Sequence, residues 1–226
     1  MNASQKEFLS DIAEKNTIEY AIENGKIRLL KQLIEEGAEI GNDAVSDAAE
    51  HCHLEIVKFL VEKGAKIGNG VSGAAGSGNL EMVKYLVEKG AEIDDYAVYY
   101  AAGSGNLEMV KYLIEKGAKI DDAAVPGAAR YEHLEIVKFL VGKGAKIGDA
   151  AVDAAGSGNL EIVKYLVEKG AEIDDAAVKH AAEKGNLEMV KYLEIVKFLE
   201  DEKELSRSQT MIIYNKIKTG ELKFPE

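Results

Sequence analysis

The sequence predicts an all-α solenoid of about seven stacked helix-turn-helix repeats closed by helical caps. Three observations carry that prediction. A phrase of the form Asn79-Leu-Glu-Met-Val-Lys-Tyr-Leu-Val-Glu-Lys-Gly90-Ala returns from Leu54, Leu80, Leu107, Leu134, Leu160 and Leu187, at spacings of 26 or 27 residues. Within one copy Leu107, Val110, Leu113 and Ile114 fall three and four apart, which is one apolar stripe of a helix. The composition agrees, because 2 prolines, no tryptophan and many alanines suit short helices packed closely together. A fixed period in this range marks an array whose repeats bury their apolar faces only against their neighbours.

Taken in order, the stretch from Lys6 to Glu23 reads as an atypical N-terminal cap. Ile27-Arg-Leu-Leu-Lys-Gln-Leu-Ile-Glu-Glu-Gly37-Ala is a weaker first copy of the phrase, so residues 1–40 are assigned to cap and first repeat. Residues 41–186 hold the central repeats, each of two short helices. In the repeat that opens at Ala97, the first helix runs to Ser104 and is closed by Gly105, where a left-handed residue ends a helix. Asn106 is expected to cap the second helix, and Glu108 in its first turn complements the helix dipole. Gly117 stops it. Lys111 and Glu115 take the opposite, solvated face, as do Glu55, Lys58, Glu62 and Lys63, where pairing along the helix is worth a few tenths of a kcal/mol. Such a two-turn helix is not stable alone. Burying roughly five to seven apolar side chains per repeat, at about 1.5–3 kcal/mol each, requires a neighbour.

The order is broken once, near the end. Met189-Val-Lys-Tyr-Leu193 runs straight into Glu194-Ile-Val-Lys-Phe-Leu199, which predicts two second helices fused into one, from about Leu187 to Leu205. Leu193, Val196 and Leu199 keep helical spacing through the junction. Ser208 to Ile217 reads as a final helix stopped by Gly220, expected to pack on the last repeat; the alternative is a docking helix for a second partner, through Met211, Ile212, Ile213, Tyr214 and Ile217. Residues 187–226 are therefore assigned to the fused helix and C-terminal cap of a single repeat domain over 1–226. Leu54 and Leu134, Leu80 and Leu160, and Leu107 and Leu187 are each 80 residues apart, as a duplicated three-repeat block would leave them.

The run Ala-Ala-x-x-Gly-Asn/His-Leu-Glu-Ile/Met-Val-Lys-Tyr/Phe-Leu-Val-Glu-Lys-Gly-Ala resembles the second half of the ankyrin repeat, over nearly the whole chain. The resemblance implies a protein-interaction module that binds on the concave face of its first helices. The chain departs from that family in length, since an ankyrin repeat usually has about 33 residues and opens on Thr-Pro-Leu-His. Here Asp-Asp-Tyr96-Ala-Val98 or Asp-Asp-Ala-Ala-Val178 stands at that place. The missing residues are those of the β-hairpin finger, so helix pairs joined by tight turns are expected, with little or no β structure.

Residues that could carry chemistry have simpler explanations. His51-Cys52-His53 are zinc-ligand types, but no spaced second pair follows, and His53 and His133 occupy the position where these repeats start the second helix. Cys52 replaces a turn glycine. The pairs Asp94-Asp95, Asp121-Asp122 and Asp174-Asp175 read as helix caps. No phosphate loop, His-Glu-x-x-His or nucleophile elbow is present, so neither an enzyme nor a metal or cofactor is expected.

The positions that differ between near-identical repeats are more telling. In ankyrin-like repeats the residues flanking the Ala-Ala pair face the concave side. Before the pair stand Asp47, Gly73, Tyr100, Gly127, Asp153 and His180; after it stand Glu50-His51, Gly76-Ser77, Gly103-Ser104, Arg130-Tyr131, Gly156-Ser157 and Glu183-Lys184. Tyrosine and arginine are enriched where binding energy concentrates. Tyr96, Tyr99, Tyr100, Arg130 and Tyr131 are therefore the expected partner-binding residues, with His180, Asp47 and His51 on the same face. The Gly-Ser surfaces leave room for a helix or an extended segment.

A formal charge of −12 argues against nucleic acid and favours a protein partner with a basic surface. No apolar run is long enough to span a membrane, and the N-terminus lacks a signal-peptide pattern. A single cysteine suits the reducing cytoplasm, or the nucleus. The reading is a monomeric interaction scaffold. Its alternatives are a self-assembling structural repeat protein, and an adaptor that recruits degradation machinery through its last helix.

Overall fold

The computed structural model describes residues 17–201, 207–219 and 221, and among these it contains fifteen helices and no strand. Two compact units are distinguished, one on residues up to Ser104 with Glu108–Lys119, the other on Gly105–Leu107 with residues from Ile120 onwards. The first unit alternates the first helices α1 (Ile18–Glu23), α3 (Ala44–Glu50), α5 (Gly70–Gly76) and α7 (Ala97–Gly103) with second helices. These are α2 (Ile27–Glu35), α4 (Leu54–Glu62), α6 (Leu80–Glu88) and most of α8 (Leu107–Glu115). The second unit continues the alternation with α9 (Ala124–Arg130), α10 (Leu134–Gly142), α11 (Ala150–Ser157), α12 (Leu160–Lys169) and α13 (Asp175–Glu183). It ends on α14 (Leu187–Asp201) and α15 (Arg207–Lys218). The expected helix pairs and tight turns are present.

Local chemistry sets the ends of these helices. The side-chain oxygens of Asn79, Asn159 and Asn186 accept the N–H of Met82, Ile162 and Met189 at 3.0–3.1 Å, satisfying donors that a helix start leaves free. Between first and second helix the chain turns through a left-handed residue, and the next N–H returns to a carbonyl five residues back, as from Asn79 to Ala74 at 3.0 Å. That residue is glycine in most repeats, but Cys52 (φ 61°) and Glu132 (φ 65°) hold the same conformation. A β-carbon there costs about 1–2 kcal/mol, partly offset by the entropy that glycine loses on folding. Cys52→Gly is accordingly expected to raise stability by about 0.5–1 kcal/mol in urea denaturation. An unchanged or lower midpoint would show that the thiol makes a compensating contact.

Paired alanines let the first helices approach. Ala48, Ala49, Ala74, Ala75, Ala101 and Ala102 are fully buried where α3, α5 and α7 stack, as are Ala128, Ala129, Ala154 and Ala155 where α9 meets α11. Across these contacts Ser77 Oγ lies 3.3 Å from the carbonyl of Ala49, and Ser157 Oγ 3.4 Å from that of Ala129. Second helices bury only part of the expected stripe: Val110 and Leu113 are fully buried, Leu107 and Ile114 only half-buried, and Met109, which the stripe left out, is fully buried as well.

The charged face differs from expectation. Glu–Lys pairs were expected along each helix, and Lys138 does pair with Glu135 at 2.9 Å. Lys58, Lys84 and Lys164, however, reach Glu81, Glu108 and Glu188 of the following repeat at 3.8, 3.3 and 3.9 Å. Stacked second helices lie side by side, so the neighbour's carboxylate is as near as one on the same helix. The same lysines ride over rings of the next repeat: Lys58 stands 5.6 Å from the Tyr85 centroid and Lys84 5.7 Å from that of Tyr112. At exposed sites each such contact is worth about 0.5–1 kcal/mol.

The fused helix is also found. In α14 Met189, Tyr192, Leu193 and Val196 are buried at helical spacing, straight through the junction. Of the expected extents, residues 202–206 at its end, Gly220 after the last helix, and the N-terminal stretch up to residue 16 lie outside the described residues. The last helix α15 packs on α14 and α12, as expected. Tyr214 meets Tyr192 edge to face at 4.6 Å between centroids, and Lys164 lies 5.7 Å from both rings. Burial pushes the Tyr214 hydroxyl's pKa up, and burial together with nearby Lys218 pulls that of Lys164 down.

Candidate functional site

Short first helices with small residues leave shallow clefts between successive repeats, and in each unit one of them holds residues expected on the binding face. In the first unit a cleft of about 460 Å³ has Gly73, Gly76 and Ser72 of α5 as its floor. Glu50 at the end of α3 forms one wall; Asp94, Tyr96 and Tyr100 of the following repeat form the other. Glycine is needed in the floor, since a β-carbon at Gly73 would lie 3.0 Å from Glu50 Cγ and 3.2 Å from the Ser46 carbonyl oxygen. Tyr96 and Tyr100 are 61% and 45% exposed and line the same cleft. Tyr99 is half-buried and touches Tyr100 edge-on at 5.2 Å.

Asp94 was expected to cap the helix, and its carboxylate does something else. Asp94 Oδ1 accepts the N–H of Tyr96, two residues on, at 3.0 Å, which fixes the turn rather than the first helical N–H. Buried Ser72 places its Oγ 2.6 Å from both oxygens of Asp94 and shares its one proton between them. Asp121 makes the same turn with Ala123 N–H at 2.7 Å, while Asp174 caps α13 at Ala177 N–H as expected, at 3.0 Å. The tight inter-repeat turn accounts for the difference, because at Asp94 and Asp121 the helix starts later than the aspartate.

Asp47 lies on α3 and His51 follows as its C-cap, with His51 Nδ1 2.8 Å from the Asp47 carbonyl oxygen. Burial, then the charge of Asp43, raises the Asp47 pKa above its ordinary 3.8; Glu23 and Glu19 add to this and His51 opposes it. A carboxyl whose folded pKa is raised binds its proton more tightly in the folded chain. Stability is then lost as pH rises from 3.8 through the raised value. Asp47→Asn should therefore be more stable than the parent at neutral pH, with the gap closing in acid. A less stable variant at neutral pH would show that its surroundings favour the carboxylate.

In the second unit a cleft of about 530 Å³ is lined by Arg130, Asp153, Gly156, His180, Glu183 and Lys184 among others. Arg130 and His180, both expected on the binding face, thus share one cleft. Arg130 is already engaged, with Nη2 and Nε 2.8 and 3.1 Å from Asp153 Oδ1. Tyr131 follows as the C-cap of α9 and is 58% exposed. Among the described residues no group of three or more His, Cys, Asp and Glu side chains could hold a metal ion, and no helix is long and apolar enough to cross a membrane. His53, the third member of the histidine-cysteine run, reaches back to the preceding repeat, its Nε2 3.1 Å from the Glu23 carbonyl oxygen.

Sequence reading missed Asp94 and Ser72 as parts of the cleft. The available signal was the combination of serine at a position that varies between repeats (Ser46, Tyr99, Pro126, Val152, Lys179) with an aspartate 22 residues on, which Ser46 lacks because Gly68 stands there.

Comparison with known proteins agrees with this architecture. The family model for ankyrin repeats (3 copies) matches residues 71–151 and 126–200. Among matching solved structures, the crystal structure of the human ASB11 ankyrin repeat domain superposes with a TM-score of 0.56. It is 23% identical and covers 73% of this chain and 90% of that one, a likeness that speaks for the fold alone. No curated protein matches the chain by sequence.

Proposed function

The chain belongs to the ankyrin repeat family, and we propose that it is an interaction scaffold that holds a partner protein on the face of its first helices. Ankyrin repeats are in general protein-interaction modules. The observation that carries the finer reading is the exposure of Tyr96, Tyr100 and Tyr131, at 61, 45 and 58%. They stand on a face whose equivalent positions hold smaller or charged residues elsewhere in the array, such as Gly73 and Asp153 in place of Tyr100 or Ser77 and Lys184 in place of Tyr131. Exposed tyrosine brings a large contact area at low conformational cost, which is how a few residues come to dominate an interface. The reading is one of binding rather than catalysis, in a reducing compartment, with the chain acting as a monomer.

The test is capture of partners from lysate by the wild-type chain, by Tyr96→Ala/Tyr100→Ala and by Tyr131→Ala, with circular dichroism on each. A partner held by the wild type and lost by a variant that keeps its helical signal and melting curve supports the reading. Equal capture by all three moves the working surface elsewhere. Self-association is a second reading, because Leu187 of α14 is 72% exposed and Ile212 of α15 55%. Light scattering that finds only monomer removes it.

A further inference from the structure

We propose that the first unit's cleft accepts an arginine side chain of the partner protein, held by the Tyr96 and Tyr100 rings and the carboxylates of Glu50 and Asp94. The inference rests on the reading of this face as a protein-binding surface and names what the face recognises. Its starting point is a mismatch between the cleft's chemistry and its contents. Two carboxylates and two exposed tyrosines line a space of about 460 Å³, ample for one long side chain, and no lysine or arginine is among the lining residues. The second unit's cleft contrasts with it, since there Arg130 supplies the cation and pairs with Asp153 at 2.8 Å.

Each wall has a part to play. Glu50, at the end of first helix α3, forms no side-chain hydrogen bond or ion pair among the described residues, whereas Glu81, Glu108 and Glu188 of second helices pair with lysine. Asp94 is held in place by Ser72 and by the Tyr96 N–H, so its orientation is set before any partner arrives. Glu50 and Asp94 are the charged residues among those that line the space, and both are acidic. A cation entering this space gains from both carboxylates and from the ring faces, in a site partly shielded from water. Arginine fits better than lysine, because a planar guanidinium stacks on a ring while its edge donates in parallel to a carboxylate. The glycine floor lets the cleft's own walls settle onto it, Glu50 over Gly73 and the Tyr100 ring over Gly76. The charge of −12 draws basic segments towards the chain from a distance.

The test uses the full chain and three short glycine-serine peptides that differ at one central residue: arginine, lysine or citrulline, arginine's neutral counterpart. In NMR titrations the arginine peptide should shift the amides of Ser72, Gly73 and Gly76 and the rings of Tyr96 and Tyr100. Lysine should bind more weakly and citrulline should leave those signals unmoved. Glu50→Gln and Tyr100→Leu should each weaken the arginine peptide about five- to tenfold. Equal response to arginine and citrulline overturns the proposal, as does lysine binding at least as tightly as arginine. So do shifts spread over the acidic surface and indifferent to Glu50→Gln, which would mean charge attraction without a site. A partner lost with Tyr96→Ala/Tyr100→Ala but kept by Glu50→Gln would sink the arginine assignment and leave the scaffold reading standing. Arginine-specific shifts with no tyrosine-dependent partner would do the reverse.

Discussion

Replacing Tyr192 with alanine is expected to remove about 3–5 kcal/mol of stability from the C-terminal end of the array, the range for truncating a fully buried aromatic side chain. The size of the effect comes from position rather than residue type. Tyr85, Tyr112 and Tyr165 occupy the same place in their own second helices, and all three are only half-buried. Tyr192 is fully buried, because α15 covers the face that other repeats leave to solvent and sets Tyr214 edge-on against its ring. Tyr85→Ala gives up only part of its transfer energy and should cost about 1–2 kcal/mol. Urea denaturation with hydrogen exchange on the two variants makes the comparison, since an array need not unfold as one cooperative step. Tyr192→Ala should release protection across α14 and α15 first. If the two variants lose equal stability, α15 does not cover α14 in solution.

The second large effect is expected at a glycine. Gly25 has φ +66°, and a β-carbon there would stand 2.8 Å from Cε1 of His53, whose ring lies over it and reaches the Glu23 carbonyl oxygen. Gly25→Ala thus combines left-handed strain with the displacement of a packed ring, together about 2–4 kcal/mol. Gly37 is the control. Its φ is +93°, but nothing lies within 4 Å of the added carbon, so Gly37→Ala should show the backbone strain alone, about 1–2 kcal/mol. Adding His53→Ala to Gly25→Ala should recover part of the loss by emptying the space the methyl group needs. Equal melting shifts for the two single variants would mean that the ring swings away freely and contributes nothing to the contact between repeats. Gly105 and His133 repeat the arrangement in the second unit, with the contact at 2.6 Å.

These two cases show where sequence reading works and where it stops. The helix pairs, their left-handed turns, the asparagine caps and the absence of strands among the described residues follow from patterns a few residues long. Even the fusion at Leu193 is visible, because Leu193, Val196 and Leu199 keep helical spacing through the junction. The face on which Tyr96 and Tyr100 stand was legible too, from what varies between copies that are otherwise alike.

Other features depend on residues one repeat away. The hydrogen bond from Ser72 to Asp94 spans 22 residues, the Arg130–Asp153 pair 23, and the contact of His53 with Glu23 30. Nothing in a local window distinguishes an aspartate that caps its own helix from one that turns on its own N–H and receives a neighbour's hydroxyl. Nor does a window distinguish Tyr192 from Tyr85, which carry the same flanking residues up to the leucine. The sequence by itself determined the repeat, because helix periodicity and capping are short-range and recur with the phrase. Only the tertiary structure decided which lysine meets which glutamate, which cleft already holds its cation and which tyrosine is covered, since stacking brings together side chains separated by a full repeat.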